Sequence, residues 1–239
     1  MGEVVLIASG NGGVGKTTMA ANLGASLALR GARVVLVDLN LGLRNLDLYL
    51  GLENQVLFDI VDVLSGLCTL SKSLIRDSRF PELYLLPGAQ CKEIAGLTDA
   101  HVTSLLMKLK AEVDYVIADG PAGISEPLKL AAAGVDRSIV LVTPDHSALR
   151  NGDMVDRKLG EMGVRNRFCV VNKVKPDLFG REIVPDLEDI ASVLDIPMAG
   201  AIPYDENIHI ANNCGYPVAC ERNSYIAANF DRISQRLFA

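Results

Sequence analysis

No apolar run in this 239-residue chain approaches the ~20 residues needed to cross a bilayer, which argues against a helical integral membrane protein. The N-terminus passes directly into a strand-like segment, so no secretory leader is expected. Excess positive charge is missing as well. The 23 Lys and Arg against 29 Asp and Glu give a net charge of −6, which argues against broad electrostatic capture of nucleic acid and leaves only a local basic patch open. The five cysteines, Cys68, Cys91, Cys169, Cys214 and Cys220, show no C-x-x-C pairing. Their odd number without zinc spacing fits thiols in a reducing cytoplasm. His101, His146 and His209 are scattered, and none reads as a metal ligand. Repeats, low-complexity stretches and linkers are also lacking, so one domain over residues 1–239 is expected.

What is present is apolar and periodic. Hydrophobic residues make up 49% of the chain, enough for a sizeable core. A domain of this size buries roughly 70–75% of its unfolded surface. Strand-like runs at Val4–Ala8, Val34–Asp38, Tyr84–Pro87, Tyr115–Asp119, Ser138–Val142, Cys169–Asn172 and Ala199–Ile202 alternate with helical segments. Several are unbroken Val/Ile/Leu runs, the pattern of strands covered on both faces. The alternation predicts an α/β fold, a mostly parallel sheet with helices on both faces. In such sheets ligands bind beyond the C-terminal strand ends.

Three polar signals fall at such ends. The first is Gly10-Asn11-Gly12-Gly13-Val14-Gly15-Lys16-Thr17, which matches G-x-x-x-x-G-K-[ST] between a strand and a helix. The glycines let backbone N–H groups turn inward around phosphates, and the helix that follows points its positive end at the same anion. Lys16 is expected on the β- and γ-phosphates and the Thr17 hydroxyl on Mg²⁺, which makes ATP with Mg²⁺ the expected ligand. The second is Asp119, which ends the apolar run Val116-Ile117-Ala118 and is expected to hold Mg²⁺ directly or through water, followed by a flexible turn at Gly120-Pro121-Ala122-Gly123. The third is Asp38, which opens the loop to Asp47. That loop reads either as an ordinary turn with Asp47 in a capping role or as a switch near the γ-phosphate.

The stretch Ser9 to Thr18 resembles the deviant Walker A loop of the MinD/ParA family of P-loop ATPases. Gly42-Leu43-Arg44-Asn45-Leu46-Asp47, Gly51-Leu52-Glu53-Asn54, Leu74-Ile75-Arg76-Asp77, Leu83-Tyr84-Leu85-Leu86-Pro87 and Asp119-Gly120-Pro121-Ala122-Gly123-Ile124 narrow the likeness to its septum-site-determining branch, with Gly120 where serine is usual. The similarity runs from Val4 to about Leu237. It implies a P-loop NTPase fold, ATP hydrolysis, and a homodimer with two ATP molecules sandwiched face to face. It further implies recruitment of a MinC-like division inhibitor and resetting by a MinE-like activator. The location implied is the cytoplasm, with peripheral contact at the inner face of the cell membrane left open. Binding would rest on residues 10–18, Thr18 included, catalysis on Lys16, Asp38 and Asn40, and the metal on Thr17, Asp38 and Asp119. By the same resemblance Asn172 would read the adenine edge and Pro203 would pack near the base. From the sequence alone both are loop residues after strands, with a ligand role left open.

The chain departs from the family pattern at three places. The family's signature lysine is Asn11, which cannot deliver a cation to a partner's nucleotide. A charge supplied in trans is worth roughly 10³–10⁵ in rate in arginine-finger systems. The second acid of the switch loop is Asn40, which can orient a water but cannot take its proton; a general base is worth roughly 10²–10⁴. Asn151 follows Arg150 where the family commonly has Arg-Asp. The pattern therefore predicts intact nucleotide binding with reduced hydrolysis, the alternatives being a hydrolysis-deficient nucleotide-binding scaffold or a related positioning ATPase for flagella or other cargo. At the C-terminus, Ile226, Phe230, Ile233 and Leu237 recur at helical spacing in a segment running to Ala239. The expected reading is the last helix of the fold, with a short membrane-surface helix as the alternative and the family's usual membrane-targeting extension absent.

Overall fold

The computed structural model describes residues 2–90, 97–179, 183–221 and 223–238; Cys91 and Ala239 lie outside these. The elements, in chain order, are β1 (Glu3–Ser9), α1 (Lys16–Leu29), β2 (Val34–Asp38), α2 (Leu46–Tyr49), α3 (Ile60–Leu64), α4 (Leu70–Ser73), β3 (Ile75–Arg76) and β4 (Leu83–Leu86). They continue with α5 (Asp99–Glu112), β5 (Tyr115–Ala122), α6 (Glu126–Ala132), β6 (Arg137–Val142), α7 (His146–Glu161), β7 (Asn166–Val174), α8 (Leu187–Leu194), β8 (Met198–Pro203), α9 (Glu206–Asn213) and α10 (Tyr225–Phe238).

The strands form one eight-stranded sheet in the order β3-β4-β2-β5-β1-β6-β7-β8. Among the described residues all pairings are parallel except β3 with β4. The seven expected strands are all present, and the mostly parallel sheet is as expected. The eighth, β3, is a two-residue edge strand too short to leave a periodic trace. Alternation along β1 divides the core. Val5 and Ile7 pack with residues of α1, α2, α9 and α10, whereas Val4, Leu6 and Ala8 pack with residues of α3, α5, α6, α7 and α8. Each face of the sheet is thus covered, and the polar strand ends lie where open parallel sheets generally bind ligands.

Helix α10 buries Ile226, Phe230, Ile233 and Leu237 against β8 and α1. Gly200 on β8 permits the approach, since a Cβ there would lie 2.7 Å from Ile233. Over residues 225–238 the apolar stripe therefore belongs to the core, and the membrane-surface alternative does not apply to it. Among the described residues no helix is long and apolar enough to cross a membrane.

Two details correct the sequence reading. Strand β5 does not end at Asp119 but runs on to Ala122, so Gly120, Pro121 and Ala122 are strand rather than turn. The pairing of β1 with β5 shifts register between Ile7 and Ser9, which lets β5 continue beside the loop, and a Cβ at Gly120 would lie 2.6 Å from the Ile7 carbonyl. Asp47 is not the N-cap residue of α2, which is Asn45, although its side chain accepts from the first-turn Leu48 N–H at 3.0 Å. Its buried carboxylate lies 2.9 Å from Arg44, and Asp38 supplies the cap instead.

Candidate functional site

The glycine loop leaves β1 at Ser9 and enters α1 at Lys16. Gly13 and Gly15 have φ of 72° and 104°, the left-handed region that side-chain-bearing residues avoid. Lys16 folds back over the loop. Its Nζ donates to Ser9 Oγ at 2.9 Å and to the Asn11 carbonyl at 3.4 Å. Burial lowers the Lys16 pKa, and the nearby Asp119 charge opposes that shift. An arriving polyanion would add counter-charge beside this buried ammonium.

Strand register sets the acids. Asp38 and Asp119 are direct partners across β2 and β5, and both are almost wholly buried. Burial raises Asp119 to about 8, with the Asp38 charge adding to it. Burial raises Asp38 to about 6, against the lowering by its backbone donors. Those donors are the N–H groups of Asn40, Asn45 and Leu46, at 3.0, 3.0 and 3.2 Å. Asp38 thus closes its own loop and caps α2, while its neighbour faces the glycine loop. Asp119 Oδ2 accepts from Thr17 Oγ1 at 2.7 Å, and Asp119 Oδ1 is buried without a partner among the described residues.

That orphaned oxygen tests the fit of a metal. A buried carboxylate with an unused oxygen, beside a hydroxyl and crowded by a second carboxylate, suits a hard divalent cation. Mg²⁺ characteristically takes one or two protein oxygens and completes its shell with water and phosphate. No group of three or more His, Cys, Asp or Glu side chains capable of holding a metal occurs among the described residues.

A cavity of about 530 Å³ opens beside the loop, within the range of small-ligand pockets. Gly12, Gly13, Gly15, Lys16, Thr17 and Thr18 form its floor, and Asn40, Asn172 and Pro203 also line it. Gly10, Asn11, Val14, Asp38 and Asp119 do not border it; Asn11 and Val14 line a second cavity that also touches Gly12 and Gly13, and Gly10 sits against α7. Asn172 spends an N–H on the Val14 carbonyl at 2.7 Å, so it buttresses the loop as well as lining the cavity. Tyr49, Lys173, Tyr204, His209 and Asn212 line the cavity without having been expected there. Lys173 lies near the end of β7, Tyr204 follows β8, and Tyr49, His209 and Asn212 sit on short helices, where no sequence period marks them. Asn212 donates to Thr18 Oγ1 at 3.0 Å and so ties α9 to the loop helix.

The two departures at residues 11 and 151 meet. Asn151 Nδ2 on α7 donates to Asn11 Oδ1 at 2.6 Å. The approach is close, because a Cβ at Gly10 would lie 2.4 Å from the Asn151 Cβ. A neutral amide pair stands where the family pattern places a cation and an anion.

A parallel sheet carrying a glycine loop that ends in Lys-Thr, with an acid on the adjacent strand against that threonine, defines a P-loop nucleotide hydrolase. Comparison with known proteins specifies it further. Residues 5–218 match the CobQ/CobB/MinD/ParA nucleotide binding domain. The septum site-determining protein MinD of Bacillus subtilis is 39% identical over 99% of this chain and 89% of its own length. Among solved structures, the MinC:MinD cell division protein complex of Aquifex aeolicus aligns with a TM-score of 0.91 at 34% identity, covering 98% of this chain and 95% of that one. The septum site-determining protein MinD of Pyrococcus horikoshii, complexed with Mg-ADP, aligns with a TM-score of 0.89 at 28% identity, covering 100% and 96%. The chain belongs to the MinD/ParA family of P-loop ATPases, within its septum-site-determining branch.

Proposed function

We propose that the chain is a Mg-ATP-driven switch for division-site placement, that residues 1–239 act as one unit, and that it hydrolyses ATP slowly. The observation that carries this reading is the pairing of an intact binding apparatus with a neutral Asn11–Asn151 contact. Thr17 and Asp119 would hold Mg²⁺, with Asp38 on the neighbouring strand, and the bound ion would offset phosphate charge. Lys16 would leave Ser9 for the β- and γ-phosphates, and the N–H groups of the glycine loop would orient the phosphate chain. Asn172 and Pro203 would border the base.

Hydrolysis would be slow for two reasons of this chain's own. Asn11 has no charge to give a second copy, and its amide is held by Asn151 on its own subunit. Asn40, beside the cavity, can orient a water but cannot accept its proton. ATP binding would close two copies face to face, with the nucleotides between them. The closed form would recruit a MinC-like inhibitor, a reading supported by the likeness to the MinD of Aquifex aeolicus, which forms a complex with its own MinC. A MinE-like activator would reset it, in the cytoplasm or at the inner face of the membrane. The test is Mg-dependent ATP binding by the chain and by Lys16→Ala. Micromolar binding that Lys16→Ala abolishes is expected; equal affinity in both would refute the site.

A further inference from the structure

Strand β7 carries an irregularity whose position is informative. It pairs with β8 at Val171 with Ala201, and again at Val174 with Pro203. Asn172 and Lys173 therefore stand opposite Ile202 alone, two residues against one, which is a β-bulge. Lys173 has a φ of 57°, the left-handed region, which a residue with a side chain enters at a cost. Regular alternation would send consecutive side chains to opposite faces of the sheet. Here both reach the glycine loop. Asn172 Nδ2 donates to the Val14 carbonyl at 2.7 Å, and Lys173 Nζ donates to the Gly13 carbonyl at 2.6 Å.

These two carbonyls belong to consecutive peptide planes. In a planar trans peptide the C=O of one residue and the N–H of the next point in opposite directions. A donor that holds the Gly13 carbonyl on one side turns the Val14 N–H to the other, and the bond to the Val14 carbonyl does the same for the Gly15 N–H. Those N–H groups belong to the loop that cradles an anion. Glycines at 13 and 15 leave this backbone free to turn, so something outside the loop must fix it. The chain commits a bulge and a left-handed lysine to doing so, and observed backbone strain of that kind points to a functional demand.

We propose that Lys173 is a positioning residue for the bound nucleotide. With Asn172 it clamps two successive peptide planes of the loop, so that the Val14 and Gly15 N–H groups are aimed at the phosphates before the ligand arrives. The proposal rests on the nucleotide-site reading above. The Lys173 side chain is exposed, so its head group contributes little to the core and can be changed without unfolding the protein.

The test compares Lys173→Met and Lys173→Arg with the parent, reading dissociation of a fluorescent Mg-ADP analogue by stopped flow. Loss of one charge-assisted hydrogen bond to the loop is expected to raise the Lys173→Met off-rate about tenfold, equivalent to about 1.4 kcal/mol. Lys173→Arg, which keeps a cationic donor, should stay close to the parent. The thermal midpoint of the nucleotide-free protein should be the same in all three, and the Val14 and Gly15 amides should exchange faster in Lys173→Met. An unchanged off-rate in Lys173→Met would overturn the proposal, as would a Lys173→Arg variant equally impaired. Failure of the parent itself to bind Mg-ADP would refute the nucleotide-site reading instead, and amide exchange at Val14 and Gly15 would still decide the clamp.

Discussion

The contact between Asn11 and Asn151 joins two positions 140 residues apart and can be isolated by a double-mutant cycle. The perturbations are Asn11→Ala, Asn151→Ala and both together. The bond is 2.6 Å long between half-buried neutral amides. A net worth of about 1 kcal/mol is expected for it, within the range of about 0.5–1.5 kcal/mol for such bonds. Each single substitution removes the whole bond, and the second then has nothing left to remove. The double variant should therefore lie close to either single, with a coupling of about 1 kcal/mol rather than the additivity within about 0.3–0.5 kcal/mol seen for independent sites. The assay is urea unfolding of the nucleotide-free protein, with equal m-values as the check that only the native contact has changed. Because no charge is involved, the coupling should not move between low and high salt. An Asn11→Lys/Asn151→Asp variant should instead show a coupling that salt weakens. Additive single effects would refute the idea that the amide pair holds Asn11 on its own subunit.

Other perturbations probe the core and the acids. Phe230 is fully buried where α10 meets the sheet, so Phe230→Ala should cost about 3–5 kcal/mol in chemical unfolding, the range for large-to-small changes in a packed interior. A loss below about 1 kcal/mol would contradict the placement of α10 as a core helix. The raised pKa values of Asp119 and Asp38, about 8 and about 6, make the folded chain bind more protons than the unfolded one above the ordinary carboxylate value of 3.8. Their burial therefore destabilises the nucleotide-free protein progressively as pH rises from about 4 toward 8. Thermal melts should show Mg-ADP raising the midpoint more at pH 8 than at pH 5.5, since a bound cation favours the ionised carboxylates. An Mg-ADP effect independent of pH would contradict this.

Much of the site could be read in advance because its determinants are local. Residues 10–17 carry their own strand, turn and helix signals, and Asp119 stands out as an acid in an apolar run. The last helix declared itself by the spacing of Ile226, Phe230, Ile233 and Leu237. What escaped depends on register and on side-chain direction. Asp38 was visible as a strand-end acid, yet its hydrogen bonds to Asn45 and Leu46 depend on how the loop returns to it. The meeting of Asn11 with Asn151 needs α7 packed on the loop. Lys173 looked like an ordinary residue after a strand, since a bulge is defined by what the neighbouring strand does. Strand β3, with two residues, has no period to detect.

Slow turnover on an intact nucleotide site is tested most simply by steady-state ATP hydrolysis of this chain beside an Asn11→Lys/Asn40→Asp variant, with Mg-ATP binding confirmed in both. The parent is expected to bind ATP normally and to turn it over more slowly, by about 10²-fold or more, given what a general base and a cation supplied in trans contribute to such reactions. Equal turnover by the two proteins at saturating Mg-ATP would contradict a silencing role for the two asparagines.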